Sequence, residues 1–432
     1  MENVVLFGIG QRYQQYKDEL NKEFNIVAYM DNNPLKQGMI INNQIVISAD
    51  RIFELDFDKI IVTTSSPACE LMIDQMIKFG IPNDRIESYK NKTVNMISSR
   101  EYDILCLENK DLSYFIVLDA NTKDGFSYSI RVGDPLVERK LADLFPEPGC
   151  FLDLGANIGT FSLFYASNGW TGHAFEASRQ NCNLLSKSII LNDFNIELTN
   201  VAISDKNGYI SFIEDNEVGF IVTDFNEKSI NLSCTTEITC IALDSLLKET
   251  LSKVKKIDLI KIDIEGSEVA ALRGMRSLLE KYQYPPIYIE INVWALFLQN
   301  ETPAKLLDEA GLHGYTAYEI IDDKTICEYP KSTFPMGFTT DVILLKKLPD
   351  KIIVTERLDP TKEEIENFII NSLKMIDDWQ LKDNYILCTL EGYPELYENE
   401  QIKEELNKIV DENTNTMTLK AINWYNESRQ KK

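Results

Sequence analysis

The sequence has little positive charge and almost no histidine. Its 432 residues include 68 acidic side chains against 44 basic ones, which gives a net charge of −24. A surface of that sign repels phosphate backbones and anionic lipids, so nucleic acids and membrane surfaces are poor candidate partners. The two histidines are His173 and His313, and the eight cysteines form no Cys-x-x-Cys pair. The sequence therefore shows no zinc-ligand spacing.

Long apolar runs are also missing. No stretch approaches the roughly 20 apolar residues that a membrane-spanning helix needs. The first ten residues lack the positively charged start of a secretory signal. The scattered cysteines fit reduced thiols better than a disulfide framework. These features predict a cytoplasmic protein that acts on a small soluble molecule.

The length predicts several domains, because 432 residues exceed one ordinary core. Residues 1–95 read as a small Rossmann-like α/β domain, and residues 96–149 as a connector with a helix before the next core. Residues 150–350 alternate apolar strands with amphipathic helices, which indicates a mostly parallel sheet. A small antiparallel addition is predicted within 208–241. Residues 351–432 have the pattern of a charged, helical C-terminal extension.

The first of these regions begins with a strand, a glycine turn and a helix. Gly8 and Gly10 follow the first apolar stretch, and Asp31 ends the next strand about 20 residues later. This order is typical of a dinucleotide-binding fold, although Tyr13 stands where a third glycine is usual. The pattern predicts that Gly8, Gly10 and Asp31 contact a nucleotide. A fold that binds no ligand is the equally weighted alternative.

A second glycine turn lies in the central region, where a buried strand ends at Asp153. Gly155 and Gly159 allow close approach of the backbone to a ligand, and the helix that follows offers unpaired N–H groups. Asn157 adds a side-chain amide between the glycines, which suits the amino-acid half of a cofactor smaller than a dinucleotide. The next strand ends at Glu176, a carboxylate that can accept hydrogen bonds from both hydroxyls of a ribose.

Together with later segments, this turn resembles the FkbM family of methyltransferases. Five blocks occur in the family's order over residues 150–292: Asp153-x-Gly-Ala-Asn-x-Gly159, Phe175-Glu176, Asn200-Val-Ala-Ile-Ser-Asp205 with Gly208, Leu243-Asp244, and Lys261-x-Asp-x-Glu-Gly-x-Glu268. The resemblance implies a class I fold that binds S-adenosylmethionine (SAM) and a methyl transfer, most often to oxygen. It also implies that the methionine part contacts Asp153, Gly155 and Asn157, that the ribose contacts Glu176, and that the adenine contacts Ala202 and Ile203.

Carboxylates also follow the later strands of the central region. Asp263 and Glu265 stand at the end of one strand, and Glu290 and Asn292 end the next. In an open parallel sheet, ligands bind beyond these strand ends. The three acids are therefore the candidate catalytic residues. Glu268 starts a helix and could serve only its N-terminus.

Two chemistries remain open for Asp263, Glu265 and Glu290. One carboxylate could act as general base on an alcohol, with a pKa raised by its neighbours. Alternatively, the three could hold a divalent metal ion that activates a bound hydroxyl. His173 is interpreted as a core histidine. His313 is interpreted as a turn residue and is a weaker catalytic candidate than the three carboxylates. Core packing is the favoured role of three late aromatic residues, Trp294, Phe297 and Phe338, with stacking on a sugar or base as the alternative.

The N-terminal region resembles the nucleotide-sugar-binding domain found ahead of some bacterial sugar acyltransferases. The shared residues are Gly8-Ile-Gly10, Tyr29-Met-Asp31-Asn-Asn33 and Gly80-Ile-Pro82. This resemblance implies that the methyl acceptor is an activated sugar.

The leading hypothesis is a SAM-dependent O-methyltransferase for a hydroxyl of a carbohydrate, on a nucleotide-sugar or a sugar unit for a bacterial surface polysaccharide. An alternative keeps SAM and methylates a polyketide-like or other small metabolite. An alternative of a different class is an NAD-dependent oxidoreductase that uses the N-terminal glycine turn. A homo-oligomer is a further hypothesis, with the C-terminal extension as a dimer contact or a lid.

Overall fold

The computed structural model describes most of the chain up to residue 356. The described residues are 1–90, 101–109, 112–121, 138–145, 147–213, 219–222, 235–329, 339–349, 352–356, 399–400 and 404. They belong to two compact units, residues 1–200 and residues 201–432. No helix among the described residues is long and apolar enough to cross a membrane. The domain boundaries inferred from sequence remain a prediction.

The first 90 residues form a sheet of six strands with two α-helices. The elements are β1 (Asn3–Phe7), α1 (Gln11–Glu23), β2 (Asn25–Met30), β3 (Ile40–Ile41), β4 (Gln44–Ile47), β5 (Lys59–Val62), α2 (Ala68–Lys78) and β6 (Ile86–Ser88). The strand order is β3-β4-β2-β1-β5-β6, and every pairing is parallel except that of β3 with β4. Val4 and Leu6 on β1 are fully buried, which explains the central position of this apolar strand.

The rest of the first unit is built from a hairpin and three parallel strands. The elements are β7 (Tyr102–Asn109), β8 (Leu112–Asp119), α3 (Glu138–Leu144), β9 (Cys150–Leu154), α4 (Thr160–Ser167), β10 (Thr171–Glu176), α5 (Arg179–Asn192) and β11 (Ile196–Asn200). β7 and β8 pair antiparallel, and β10 lies between β9 and β11 in parallel register. The glycine turn therefore follows β9, and Glu176 ends the neighbouring strand.

Buried polar side chains on α5 bind the backbone of β8. The Asn192 amide group accepts a hydrogen bond from Phe115 N at 2.8 Å and donates one to Phe115 O at 2.6 Å. Ser188 Oγ accepts from Val117 N at 2.9 Å. Phe115 and Asn192 are both fully buried, so neither group can turn to water instead.

Replacement of Asn192 by Ala should therefore destabilise the fold. The change leaves both the N–H and the carbonyl of Phe115 without these side-chain partners, and each buried unsatisfied group costs about 1–3 kcal/mol. We expect the free energy of unfolding to fall by about 2–4 kcal/mol, measured by urea denaturation followed by circular dichroism. Asn168→Ala is the control, since that amide donates to Phe164 O at the end of α4. An equal effect of the two substitutions would contradict this role of Asn192.

A small four-stranded sheet opens the second unit. It consists of β12 (Ala202–Ile203), β13 (Gly208–Ile213), β14 (Phe220–Ile221) and β15 (Thr235–Ile241), in the order β12-β15-β13-β14. β13 pairs antiparallel with both β14 and β15. The antiparallel addition predicted within 208–241 is confirmed.

The remainder of the second unit carries the later strands. The elements are β16 (Leu259–Ile262), α6 (Glu268–Gly274), α7 (Arg276–Lys281), β17 (Ile287–Asn292), α8 (Val293–Leu298), α9 (Pro303–Leu312), β18 (Thr316–Ile320), β19 (Thr325–Glu328), β20 (Thr339–Leu345) and β21 (Ile353–Thr355). β16 and β17 pair parallel, whereas β20 pairs antiparallel with both β17 and β18. The predicted Rossmann-like α/β class is confirmed. The helical extension predicted for 351–432 lies almost entirely outside the described residues.

Candidate active site

The glycine turn after β9 has a left-handed backbone at three positions. The φ angles are +81° at Gly155, +52° at Asn157 and +98° at Gly159. A Cβ on Gly159 would overlap the Leu185 side chain, so glycine is needed there for packing as well as for conformation. Gly159 also precedes α4 without a side-chain cap, which leaves backbone N–H groups of the first helical turn for a ligand.

Glu176 is hydrogen-bonded directly to this turn. Its Oε2 accepts from Asn157 N at 2.7 Å, and its Oε1 accepts from Ser178 N at 2.7 Å. The side chain is buried, and each of its two oxygens accepts one of these backbone hydrogen bonds. The glycine turn and the end of β10, which were predicted to contact the same cofactor, are thus linked by a hydrogen bond from a backbone N–H to a carboxylate.

Asp153 has a more internal position than Glu176. It is fully buried, and its Oδ2 accepts a hydrogen bond from Ser162 Oγ on α4 at 2.6 Å. This bond fixes the start of α4 against the end of β9. The contact of Asp153 with the ammonium group of SAM stays a prediction.

In the second unit, Ala202 and Ile203 form the short strand β12 and are buried. They pair with Cys240 and Ile241 on β15. The adenine contact expected of them likewise stays a prediction.

Three predicted catalytic carboxylates come together in the second unit. Asp263, Glu265 and Glu290 each offer one carboxylate oxygen, and these oxygens all lie within 4.8 Å of one another. All three side chains are partly buried. Parallel pairing of β16 with β17 explains the meeting, because the two strands end at the same edge.

The turn that carries Glu265 is tightly constrained. Glu265 and Gly266 are both left-handed, with φ angles of +52° and +98°. A Cβ on Gly266 would overlap the carbonyl oxygen of Ala295. Glu268 Oε1 accepts from Ile264 N at 3.2 Å and from Gly266 N at 3.1 Å, so Glu268 holds the turn as well as starting α6.

A fourth acid, Asp341, was missed by sequence reasoning. It lies directly opposite Glu290 in the antiparallel pairing of β17 with β20. The sequence shows Asp341 beside the apolar residues of β20. That pattern does not reveal which residue of β17 lies opposite Asp341. Asn292 Nδ2 also joins the group and donates to Glu265 Oε2 at 3.2 Å.

Burial and mutual repulsion raise the pKa values of Glu265, Glu290 and Asp341. Burial is the main cause that raises the pKa of Glu265 to about 8, with repulsion from Asp263 next. The same two causes raise the pKa of Glu290 strongly and that of Asp341 to about 6. Lys261 is a basic partner, and its Nζ lies 3.1 Å from Asp263 Oδ2. The raised pKa values of Glu265 and Glu290 favour their protonated forms near neutral pH.

The other predicted residues stay outside these two groups. His173 Nδ1 lies 3.4 Å from Glu197 Oε2, and His313 ends α9 with Nε2 3.8 Å from Glu309 Oε1. Burial is the main cause that lowers the pKa of both histidines. The side chains of Trp294 and Phe297, and the whole of Phe338, lie outside the described part of the chain.

The N-terminal nucleotide candidates form a compact group of their own. Gly8 has a φ of +93°, and a Cβ there would overlap Thr64. The buried Asp31 carboxylate accepts hydrogen bonds from Ile9 N at 2.8 Å and from Asn33 N at 2.9 Å. Asp31 thus supports the glycine turn from within, and the nucleotide contact stays a prediction.

Three amide side chains that follow Asp31 in the sequence bind the middle of the first unit. They belong to Asn32, Asn33 and Gln37. Asn32 Nδ2 donates to Leu191 O, and Asn33 Nδ2 donates to Asp193 O, both at 3.1 Å. Gln37 exchanges two hydrogen bonds with the backbone of Ser113. The end of β2 is therefore joined to α5 and β8.

Comparison with known families finds a match for the central region. Residues 153–316 match the methyltransferase FkbM domain. The matched segment contains the glycine turn, Glu176 and the three carboxylates, and it supports methyltransferase activity with SAM as the cofactor. Residues 1–87 match a different family, described as C2185-like, N-terminal. The predicted sugar-acyltransferase resemblance of the N-terminal region is thus not confirmed.

Solved structures similar to the chain include several methyltransferases. A precorrin-6Y C5,15-methyltransferase from Geobacter metallireducens is 10% identical, with a TM-score of 0.27 over 48% of this chain and 86% of that one. A tRNA (uracil-54, C5)-methyltransferase from Pyrococcus abyssi, in complex with S-adenosyl-L-homocysteine, is 12% identical, with a TM-score of 0.29 over 68% and 52%. WbdD is 16% identical, with a TM-score of 0.28 over 53% and 41%. No curated protein matches the chain.

Proposed function

We propose that the protein is a SAM-dependent O-methyltransferase for a hydroxyl of a carbohydrate, carried on a nucleotide-sugar or in a sugar unit for a bacterial surface polysaccharide. The observation that carries the cofactor assignment is the bond between Glu176 and the glycine turn at Asn157. That bond fixes a ribose-binding carboxylate relative to open backbone N–H groups. The family match, which runs through both the turn and the acidic group, supports one reaction for both.

The glycine turn and Glu176 fit the cofactor by their chemistry. Gly155 and Gly159 supply left-handed backbone positions in the turn, and Asn157 adds a polar side chain. The Glu176 carboxylate, held at the turn by its two backbone bonds, is the proposed acceptor for two ribose hydroxyls. Bound SAM supplies an electrophilic methyl group.

The acidic group supplies what an alcohol acceptor needs. Oxygen becomes an effective nucleophile when its proton is removed or when a cation lowers its pKa. Asp263, Glu265 and Glu290 offer both chemistries, either as a carboxylate base or as ligands of a divalent metal ion. The chemistry of the group favours transfer to oxygen.

The carbohydrate part of the proposal draws on the N-terminal region. Its strand, glycine turn and helix follow the order that binds nucleotides. A Cβ on Gly10 would have no heavy atom within 4 Å, and α1 begins there without a side-chain cap. A nucleotide-sugar would place its phosphates near Gly8 and Gly10, with Asp31 supporting the turn.

Labelled SAM tests this function with the full-length protein. We expect transfer of the labelled methyl group to at least one nucleotide-sugar in a broad panel, as a base-stable ether. Free sugars and polyketide-type alcohols form the comparison panels, and calorimetry with NAD against SAM tests the oxidoreductase alternative. Label on the other alcohols alone, or tight binding of NAD without SAM, would refute the proposal.

A further inference from the structure

The acidic group in the second unit gathers several carboxylates around Lys261. Asp263, Glu265 and Glu290 bring oxygens within 4.8 Å of one another. Lys261 forms an ion pair with Asp263 and also interacts electrostatically with Glu265 and Asp341. Asp341 adds a fourth carboxylate opposite Glu290. Like charges directly opposite each other on paired strands destabilise a sheet. The arrangement therefore needs either bound protons or a further cation.

The carboxylate of Glu268, the fifth in this region, gives independent evidence that the acidic group binds a further ligand. Glu268 is 1% exposed, and its Oε1 accepts the two backbone hydrogen bonds of the Glu265 turn. Its Oε2 is buried and has no hydrogen-bond partner among the described residues. Glu268 interacts electrostatically with Asp263, Glu265 and Glu290, so its carboxylate belongs to the same acidic group. Buried polar atoms without partners are rare because they cost free energy.

We infer that Asp263, Glu265 and Glu290 bind a hard divalent cation of the Mg²⁺, Mn²⁺ or Ca²⁺ class. Oxygen-only ligands select these ions, whereas zinc sites usually include histidine or cysteine. Ligands on opposite sides of Ca²⁺ lie about 4.6–5.2 Å apart, and those of Mg²⁺ about 4.0–4.2 Å apart. A span of up to 4.8 Å therefore accepts Ca²⁺ directly and the smaller ions after a small contraction.

The inferred role of the cation rests on the proposed function. A cation held by Asp263, Glu265 and Glu290 would lower the pKa of an acceptor hydroxyl, whose proton would pass to solvent water. Asp263 is 37% exposed, so the acidic group reaches solvent. The hydroxyl oxygen then forms a bond to the methyl carbon as the carbon–sulfur bond of SAM breaks. Methyl ether and S-adenosylhomocysteine result, and no oxidant or reductant is needed.

Binding of Mn²⁺, followed by electron paramagnetic resonance, tests the site without any acceptor. In full-length protein freed of metal with EDTA, we expect saturable binding of one Mn²⁺ per chain, with competition by Mg²⁺ or Ca²⁺. Glu290→Gln should weaken binding at least about tenfold, since it removes one of three charged ligands. Glu328→Gln is the matched control, because Glu328 is an exposed acid on β19 outside the group. Its affinity should equal that of the unaltered protein.

Asp263→Asn provides a second variant in case Glu290→Gln fails to fold. It changes the more exposed ligand, and we expect a similar loss of Mn²⁺ affinity with unchanged circular dichroism. No saturable binding below about 1 mM, the weak limit of oxygen sites in proteins, would overturn the inference. Equal affinity of the two ligand variants and the control would also overturn it.

The outcomes for the cation and for the proposed function can be separated. SAM affinity measured in EDTA should be unchanged, since the SAM turn needs no metal. Mn²⁺ binding without methylation of any sugar would support the site and reject the sugar acceptor. Methylation at full rate in EDTA would overturn the catalytic role of the cation and leave the methyltransferase function standing.

Discussion

Glu176→Ala should weaken SAM binding at least about 100-fold, measured by isothermal titration calorimetry. The change removes the carboxylate that we propose accepts hydrogen bonds from two ribose hydroxyls. Hydrogen bonds to charged groups contribute about 1.5–3 kcal/mol each, and about 1.4 kcal/mol corresponds to a factor of ten. The change also releases Asn157 N, so the glycine turn loses its anchor.

Glu197→Ala is the matched control for this substitution. Glu197 is on β11, beside the strand of Glu176, and its side chain is 58% exposed. We expect SAM affinity within about twofold of the unaltered protein, because exposed ion pairs contribute little. Unchanged SAM affinity in Glu176→Ala, with the fold intact by circular dichroism, would refute the cofactor assignment.

Gly266→Ala should lower the free energy of unfolding of the protein by about 2–6 kcal/mol. A left-handed backbone costs a residue with a side chain about 1–3 kcal/mol, and overpacking adds a similar amount. Both apply here, since φ is +98° and the new Cβ would overlap Ala295 O. The measurement is urea denaturation followed by circular dichroism.

A second glycine provides the control for this prediction. Gly311 lies in α9, and a Cβ there would have no heavy atom within 4 Å. Gly311→Ala should therefore stabilise the protein slightly, by up to about 1 kcal/mol. Similar destabilisation by both substitutions would mean that the backbone conformation at Gly266 is not the cause.

The strands of the central region could be predicted from sequence because they are buried apolar runs between turn residues. Cys150–Leu154 and Ile287–Asn292 are strands of the region where the sequence predicts alternating apolar strands and helices. The meeting of Asp263 with Glu290 followed from the same pattern, since parallel strands end together. A periodic signal of this kind identifies strands and the residues that follow them.

Contacts that depend on the register of antiparallel strands, or on hydrogen bonds from side chains to the backbone, could not be predicted in this way. Asp341 faces Glu290 only through the register of β20, which depends on the whole edge of the sheet. The bond from Ile9 N to Asp31 was equally unpredictable from the sequence. A carboxylate after a strand is as typical of a ligand contact as of a side chain that supports a turn. Such choices depend on three-dimensional packing that one sequence does not reveal.

The contacts of Asn32, Asn33 and Gln37 with α5 and β8 have a consequence for how the first unit unfolds. They join the first 90 residues to α5 and β8 through amide side chains that are buried or partly buried. Amides of this kind lose their partners together when either part melts. Residues 1–200 should therefore unfold in a single cooperative transition in calorimetry. A fragment cut at residue 95 would expose to solvent amide side chains that have protein partners in the intact unit.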